Sequence, residues 1–281
     1  MKRVIAYSGG KDSTALLCFA KYNDWDFEAV FCDTGWEHPL TYAYIESINQ
    51  RLCGGKLVTI KSEKYAGGMV DLVAKKGRVP SAKARFCTEA LKVLPMIAWL
   101  KAQNDEITLY QGIRAEESPA RAALPRRQWS DDYDCWIERP LLDWTVQDVW
   151  NMLRQSNIEP NPLYLKGAGR VGCFPCIMIT HGELKRLTIT MPEVWDRIAE
   201  LELAAGRSFF PPNYIPVRFH SGRGKWNPVY DELPDGELAV VRVEQDTFPT
   251  VDDVKRYLAD PNTKLFPDEP TQCMSIYNLC E

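Results

Sequence analysis

The sequence predicts an α/β fold built on a doubly wound and mostly parallel sheet, followed by a C-terminal region of loops and helices. Two observations predict the sheet: β-branched apolar runs alternate with amphipathic helical segments, and the first run ends in a glycine-rich turn. A third observation separates the two parts, because apolar periodicity weakens after about residue 160, where proline and glycine become frequent. We therefore expect an α/β domain over residues 1–160 and a second region over residues 161–281.

The first five predicted elements alternate between strand and helix. The run KRVIAY is β-branched and precedes STALLCFAKY, whose apolar residues recur at helical spacing. FEAVFCDTG predicts a second buried strand, LTYAYIESINQRL a helix and KLVTIKS a third strand. In sheets of this kind, binding sites lie at the carboxyl ends of the strands.

The later elements continue this alternation before it fades. TEALKVLPMIAWLKAQ predicts a helix, EITLYQGIRAEES a strand that ends in a polar loop, and ERPLLDWTVQDVWNMLRQS a short strand followed by a helix. GELKRLTITMPEVWDRIAELELAAG predicts a return to helix. The proline- and glycine-rich stretch FFPPNYIPVRFHSGRGKWNPVYDELPDG is interpreted as loop.

Composition and charge narrow the class of protein. The chain has 281 residues and is 45% hydrophobic, which suffices to bury a core. Its net charge of −4, from 34 basic and 38 acidic residues, disfavours a nucleic acid as partner, although a local basic cleft would still bind one. No apolar run approaches the roughly 18 residues that span a bilayer, so we expect a cytoplasmic protein without a membrane segment.

The nine cysteines need an explanation. In a reducing compartment they are expected to be buried thiols, metal ligands or catalytic groups, and an odd number argues against full pairing into disulfides. Cys173 and Cys176, in GCFPC, have the C-x2-C spacing that lets two thiolates bind one metal or cluster, or form a redox dithiol. The spacing alone leaves these alternatives open.

The opening stretch MKRVIAYSGGKDS contains the strongest local signal. A glycine-rich turn between a strand and a helix presents backbone N–H groups and the positive end of the helix dipole to an anion, most often a phosphate. Adjacent glycines allow close approach, serines add hydroxyl donors and a lysine neutralises phosphate charge. The spacing differs from the Walker pattern, which has a longer spacer before its Gly-Lys pair. The predicted anion-binding residues are Ser8, Gly9, Gly10, Lys11, Asp12 and Ser13.

SGGKDS resembles the PP-loop of the adenine nucleotide alpha hydrolase superfamily. With five further segments, the chain is similar to phosphoadenosine and adenosine phosphosulfate reductases over about residues 1–180. These segments are CDTGWEHP, RFCTEALKVLP, GIRAEESPAR, PLLDWTVQDVW and NPLYLKGAGRVGCFPC. The resemblance implies an adenine nucleotide alpha hydrolase-like sheet. It also implies an adenine nucleotide substrate, either ATP, which would bring Mg²⁺, or an adenylyl sulfate with or without a further phosphate.

The resemblance also implies roles for single residues. In that family the segment matching FCDTGWEHP lies over the adenosine, which implies nucleotide contacts from Asp33, Thr34 and Gly35, with Glu37 as a further candidate. The match to GIRAEESPAR implies that its two arginines approach the sulfate or phosphate end, where a guanidinium makes two parallel bonds to an oxyanion. The residues expected to act in catalysis are therefore Lys11, Arg114 and Arg121.

Iron–sulfur members of that family hold a cluster with cysteines at two places in the chain. By this resemblance, a [4Fe–4S] cluster would be held by Cys87, Cys173 and Cys176. The family's adjacent cysteine pair is here a single cysteine followed by threonine, so that one ligand is missing. In one alternative, the C-terminal tail QCMSIYNLCE supplies the fourth ligand, with Cys280 favoured and Cys273 as the alternative. In the other, the cluster keeps three protein ligands and one open iron, as in related tRNA-thiolating enzymes.

Three functions follow from these alternatives. In the first and favoured one, a reductase takes sulfur from adenylyl or phosphoadenylyl sulfate, with a reductant protein such as thioredoxin; Cys280 is its nucleophile provided that it is not a ligand. In the second, ATP adenylylates a nucleic acid, which then accepts sulfur from a donor, as in DNA phosphorothioation or tRNA thiolation. In the third, the chain is a non-catalytic nucleotide-binding iron–sulfur module. The sequence leaves the oligomeric state open.

Overall fold

A computed structural model of the protein describes residues 1–221, 225–232 and 238–260, and the predicted tail ligands Cys273 and Cys280 lie outside these residues. The main sheet consists of β1 (Lys2–Tyr7), β2 (Glu28–Cys32), β3 (Val58–Ile60), β4 (Ile107–Gln111), β5 (Arg127–Ser130) and β6 (Cys135–Glu138). Its strand order is β3-β2-β1-β4-β6-β5, and all neighbours are parallel except β5 and β6. The predicted doubly wound, mostly parallel sheet is confirmed.

Strand β1 is the point at which the order of the strands changes direction. It pairs with β2 on one side, where Tyr7 lies opposite Phe31, and with β4 on the other, where Ala6 lies opposite Gln111. The carboxyl ends of these three strands therefore meet at one edge of the sheet. In open α/β sheets, the crevice at such a switch point is where ligands bind.

Eleven α-helices lie in the described part of the chain. They are α1 (Lys11–Tyr22), α2 (Pro39–Leu52), α3 (Gly68–Lys76), α4 (Phe86–Thr88), α5 (Leu94–Lys101), α6 (Pro119–Ala122), α7 (Val146–Gln155), α8 (Pro162–Leu165), α9 (His181–Thr190), α10 (Val194–Ala205) and α11 (Val251–Ala259). The helix predicted from TEALKVLPMIAWLKAQ is not uniform, because Glu89–Val93 between α4 and α5 is π-helical. Pro95 has no N–H to continue the α-helical bonding, and the wider π turn accommodates it.

The two faces of the sheet are buried against different helices. Because successive side chains of a strand point to opposite faces, Val4 and Ile5 belong to different apolar clusters. The cluster of Ile5 includes Leu16 of α1 and Val149 of α7, whereas the cluster of Val4 includes Met96 of α5. The sheet is thus covered on both sides, as its nearly continuous apolar strands predict.

A third apolar cluster joins the two regions that flank residue 160. Trp36 and Leu72 from the first region share it with Leu184, Ile198 and Val254 from the second, and all five are buried. Helix α3 therefore packs against α10, which in turn contacts α9 and α11. The loops that follow β2 are held between the sheet and the C-terminal helices.

One part of the C-terminal region differs from the prediction. The stretch interpreted as loop contains the strand β7 (Lys225–Glu232), which pairs antiparallel with β8 (Leu238–Asp246). The β-branched residues of LAVVRVEQD favour a strand, and this preference outweighs the proline and glycine content that precedes it. Among the residues described, no helix combines the length and apolar character needed to cross a bilayer.

Candidate functional site

The turn between β1 and α1 is held in shape by its own residues. Gly9 has a φ of +81°, and a Cβ atom there would lie 3.1 Å from both Thr41 Cγ2 and Ile45 Cγ1. The hydroxyl groups of Ser8 and Ser13 lie 3.0 Å apart, and the backbone N–H of Ser8 donates to Ser13 Oγ at 3.3 Å. The turn therefore approaches α2 closely and keeps the N-terminus of α1 at the edge of the sheet.

Asp12 is fully buried and binds two cations. Its carboxylate accepts hydrogen bonds from Lys11 Nζ at 2.7 Å and from Arg114 Nε. Burial alone would raise the pKa of Asp12, but the charges of Lys11 and Arg114 hold it below the ordinary value. The aspartate thus ties the turn to the segment that follows β4.

The two arginines expected at an oxyanion are buried in ion pairs. Arg114 is 4% exposed and also binds Glu116, while Arg121 is 2% exposed and binds Glu117. Neither arginine lines the two cavities described below. The structure brings Arg114 together with Lys11, and contact of either arginine with an anion stays a prediction.

A cavity opens where the strand order changes direction, and we call it the strand-end cavity. Counting the part open to solvent, it encloses about 580 Å³. Its lining residues come from the ends of β1, β2 and β4 and from nearby helices: Ala6, Tyr7, Ser8, Ser13, Val30, Phe31, Cys32, Glu37, Lys92, Met96, Gln111, Gly112 and Ile113. Apolar walls beside a turn rich in N–H groups suit a ligand with a flat ring at one end and an anion at the other.

The residues predicted to contact a nucleotide after β2 are engaged with protein groups. Asp33 accepts hydrogen bonds from Tyr42 Oη at 2.7 Å and Gly35 N at 2.8 Å, and lies 2.8 Å from Lys61 Nζ. Burial opposes ionisation, but these partners still hold the pKa of Asp33 below its ordinary value. Neither Asp33 nor Gly35 lines the strand-end cavity, and their contacts to a ligand stay predictions.

Glu37, from the same loop, does line the strand-end cavity. It is 3% exposed, and its carboxylate accepts hydrogen bonds from Thr34 Oγ1 at 2.7 Å and from Tyr42 Oη at 3.0 Å. Burial raises the pKa of Glu37. The loop therefore presents the buried carboxyl group of Glu37 to this cavity.

A second cavity adjoins the first, and we call it the cysteine cavity. It is lined by Thr34, Met69, Arg85, Cys87, Thr88, Lys92, Arg170, Gly172, Cys173, Cys176 and Ile177. The three cysteines predicted as ligands thus face one cavity, although Cys87 and Cys173 lie 86 positions apart in the chain. Burial and then the two neighbouring thiols raise the pKa of Cys87 to about 12, and burial also raises that of Cys173.

The loop after β2 and the loop of the cysteine pair are bonded to each other. The backbone N–H of Phe174 donates to the carbonyl of Trp36 at 2.7 Å, and Trp36 Nε1 donates to the carbonyl of Pro175 at 3.1 Å. The hydroxyl of Thr34 lies 3.5 Å from Cys173 Sγ. These contacts fix the position of the cysteine pair relative to the strand-end cavity.

Lys92 lines both cavities and was missed by the sequence analysis. It lies in the π-helical segment Glu89–Val93, and its charge counteracts the effect of burial on the pKa of Cys173. The only local signal was the proline three residues later, because a proline inside a helical pattern distorts the helix that presents the lysine.

The segment at α8 connects the turn to the cysteine pair. Asn161 Nδ2 donates to the carbonyl of Gly9 at 3.2 Å, and the backbone N–H of Lys11 donates to Tyr164 Oη at 3.0 Å. The same stretch of chain continues directly into the loop that contains Cys173. This connection was not predicted from the sequence.

Comparison with known proteins assigns these features to a family. The sequence profile of the phosphoadenosine phosphosulfate reductase domain matches residues 2–179. An uncharacterized 37.8 kDa protein from the gpa 5′ region of Escherichia phage 186 is 36% identical over an alignment of 277 residues, which covers 76% of this chain and 80% of the phage protein.

Two further comparisons involve reductases. Adenosine 5′-phosphosulfate reductase of Allochromatium vinosum is 34% identical over 131 residues, which cover 43% of this chain and 49% of the enzyme. The crystal structure of phosphoadenylyl-sulfate (PAPS) reductase from Candida auris, a phosphate complex, superposes with a TM-score of 0.52 at 17% identity. That superposition covers 63% of this chain and 83% of the reductase, and it shows a shared fold.

Proposed function

Because the chain belongs to the phosphoadenosine phosphosulfate reductase domain family, we propose that it is a sulfonucleotide reductase-like enzyme that binds adenylyl or phosphoadenylyl sulfate. One observation carries the proposal. The strand-end cavity beside the PP-loop shares Lys92 with a cavity that three cysteines line. A nucleotide in the first cavity would therefore have its sulfate near cysteine sulfur.

The strand-end cavity supports binding of the nucleotide in one orientation. Its apolar walls, which include Phe31 and Met96, suit the purine ring, and the PP-loop beside them suits the phosphate. The N-terminus of α1 and Lys11 would both stabilise the negative charge of that phosphate. Asp12 would hold Lys11 and Arg114 in place as the charge of the ligand approaches.

The chemistry of the residues around the cysteine cavity supports the proposal that it holds a [4Fe–4S] cluster. The cations Arg85, Lys92 and Arg170 line it together with the three thiols and would offset the charge of thiolate ligands. Within the described ranges, no group of three or more histidine, cysteine, aspartate or glutamate side chains is arranged to hold a metal ion. A cluster is larger than one ion and spreads its thiolates farther apart. When bound, it would supply redox or electrostatic chemistry next to the nucleotide.

Three thiols from the described chain would hold this cluster: Cys87, Cys173 and Cys176. The fourth ligand would be Cys280 or Cys273 of the tail. The hydroxyl of Thr34 would orient Cys173, and the hydrogen bonds between the two loops would keep the C-x2-C pair beside the nucleotide.

The proposed reaction begins with nucleophilic attack by a cysteine thiolate on the sulfur of the adenylyl sulfate. The bond between that sulfur and the bridging oxygen breaks, and the nucleotide leaves with the electron pair while sulfur stays on the cysteine as S-sulfocysteine. A dithiol reductant such as thioredoxin then releases sulfite and is oxidised to a disulfide. Cys280 takes the role of nucleophile if Cys273 is the fourth ligand.

One observation favours a second function, which is ATP-dependent sulfur transfer to a nucleic acid. Thr88, which follows Cys87 where iron–sulfur members of the family have a second cysteine, lines the cavity beside the three thiols. A cluster with three protein ligands would leave one iron open for sulfur. ATP would then adenylylate an acceptor with release of pyrophosphate, and sulfur from a separate donor would displace AMP from that acceptor.

The test is an anaerobic assay of both reactions on the same preparation of full-length protein. Sulfite release is measured from adenylyl sulfate and from phosphoadenylyl sulfate with a dithiol reductant, and pyrophosphate release is measured from ATP with DNA or tRNA. We expect sulfite from at least one sulfated nucleotide, and its loss in Lys11→Ala. Pyrophosphate without sulfite would overturn the reductase proposal in favour of the second function.

A further inference from the structure

Gln111, the last residue of β4, places a buried polar side chain in the wall of the strand-end cavity. It is 2% exposed and lies among lining residues that include Val30, Phe31 and Met96. Among the described residues, neither its Nε2 donor nor its Oε1 acceptor has a hydrogen-bond partner. A buried polar group without a hydrogen bond is unfavourable, so this amide destabilises the protein without a ligand.

The position of this amide is fixed by the strands and by the PP-loop. Gln111 lies opposite Ala6 in the β1–β4 pair, at the switch point of the sheet. The next residue, Gly112, packs so closely on the start of α1 that a Cβ atom there would lie 2.9 Å from the carbonyl oxygen of Asp12. The distance from the amide to the anion-binding turn is therefore set by backbone packing.

An adjacent donor and acceptor on a flat group complement the edge of a base. A glutamine amide pairs with adenine by accepting a hydrogen bond from the exocyclic amino group and donating one to a neighbouring ring nitrogen. The apolar residues around Gln111 suit the faces of such a ring. The ligand class implied is thus a purine that offers a hydrogen-bond donor beside an acceptor.

We propose that Gln111 recognises the amino edge of the nucleotide's adenine and selects against a purine that lacks the 6-amino group. This inference rests on the proposed nucleotide site and assigns base recognition to one side chain within it. The amide without hydrogen bonds then destabilises the free protein, and adenine relieves this when it pairs with the amide. A base without the amino group leaves the Oε1 acceptor unpaired.

The probes are AMP and purine riboside 5′-monophosphate, which differ in the 6-amino group. Their dissociation constants are measured by calorimetry on full-length wild type, on Gln111→Met and on Gln128→Met. Methionine preserves the length and approximate volume of glutamine. The control residue Gln128 lies half-buried in β5, and it does not line the cavity.

We expect wild type and Gln128→Met to bind AMP at least about tenfold more tightly than purine riboside monophosphate, because a bidentate contact to a base contributes about 1–3 kcal/mol of discrimination. Gln111→Met should lose this preference through weaker AMP binding. Its melting temperature without ligand should rise, because the variant removes a buried amide without partners.

The other outcomes of these binding measurements contradict either the role of Gln111 alone or the nucleotide site as a whole. If wild type binds AMP and its purine analogue equally, or if Gln111→Met keeps the preference, the role of Gln111 is wrong while the nucleotide site stands. The wild-type comparison alone decides this if the variant fails to fold. If wild type binds neither these monophosphates nor a sulfated nucleotide, both the site and the role of Gln111 are wrong.

Discussion

The phenol oxygen of Tyr164 accepts a hydrogen bond from the backbone N–H of Lys11 at 3.0 Å, across 153 positions of the chain. This N–H lies at the N-terminus of α1, where a phosphate of the nucleotide is proposed to bind. The tyrosine thus occupies a donor that the ligand would otherwise use. Because Tyr164 belongs to the segment that leads to the cysteine pair, a ligand that displaces it would also act on that loop.

Tyr164→Phe tests this competition. Removal of the hydroxyl group should lower the stability of the free protein by about 0.5–1.5 kcal/mol, since one hydrogen bond is lost. AMP affinity should rise by about two- to tenfold, because the free state loses a contact that the bound state does not need. Calorimetry and urea unfolding measure both quantities. Weaker AMP binding would mean that the hydroxyl group supports the bound state instead.

Gly9→Ala tests the geometry of the PP-loop. A positive φ disfavours a residue with a Cβ by roughly 1–2 kcal/mol, and contacts of 3.1 Å with Thr41 and Ile45 add a steric cost. The matched control is Gly77→Ala, since Gly77 has a φ of +60° but open space around it. We expect the Gly9 variant to unfold at lower urea concentration than the control and to lose AMP binding. Equal unfolding midpoints would remove the steric argument.

Arg114→Met tests the buried ion pair with Asp12. Removal of one partner of such a pair costs about 3–5 kcal/mol, because the other charge stays buried with less compensation. Asp12→Asn in the same chain should recover part of this loss, and urea unfolding at pH 7 measures both variants. Additive losses in the double variant would show that the two side chains act independently.

The same ion pair predicts how stability depends on pH. The pKa of Asp12 lies below its ordinary value of 3.8, so its contribution is present above that value and is lost as pH falls through the folded pKa. Arg114→Met removes one of the two cations beside Asp12, so the pKa of Asp12 should rise. The stability that ionised Asp12 contributes should then begin to be lost at a higher pH than in wild type. Unfolding free energies between pH 3 and pH 7 should show this shift, and superimposable profiles would contradict it.

Serine variants of the cysteines test the cluster site. Anaerobic iron and sulfide assays with absorption spectra should show loss of iron in Cys87→Ser, Cys173→Ser and Cys176→Ser. Cys135→Ser is the matched control, because Cys135 is buried in the core of the sheet and away from the cavity. Iron content at the wild-type level in all three cavity variants would refute the assignment.

The tail is tested in the same assay. Loss of iron in Cys280→Ser would make that residue a ligand and exclude it as nucleophile, whereas loss in Cys273→Ser would leave Cys280 available. Retention of iron in both variants would favour three protein ligands and an open iron. Sulfite release by each variant then separates a role in binding the cluster from a role in catalysis.

The alternation of strands and helices and the glycine-rich turn could be predicted because they depend on local patterns. Apolar runs mark β1 to β4, and SGGKDS marks the turn by its residue types alone, whereas the strand predicted from ERPLLDW lies earlier, at Cys135–Glu138. The hairpin of β7 and β8 was missed because proline and glycine content was given more weight than the valines of LAVVRVEQD.

What could not be predicted depends on contacts between distant segments. Arg114 looks like an anion ligand in the sequence, and only the fold shows that Asp12, 102 positions away, is its partner. Gln111 reads as one polar residue in a strand, and its lack of a partner becomes visible only when the cavity forms around it. Lys92 faces both cavities because of a π-helical segment, for which the sequence offers little more than one proline.

The core shared by Trp36, Leu72, Leu184, Ile198 and Val254 has a consequence for how this protein can be divided or recombined. A fragment that ends at residue 160 would expose the apolar face of α3 and would be expected to aggregate. The C-terminal helices therefore cannot be exchanged with those of a relative as a separate module. Changes in α3 and in α9 to α11 must instead accumulate together during evolution, so substitutions at these positions should be correlated among relatives of this chain.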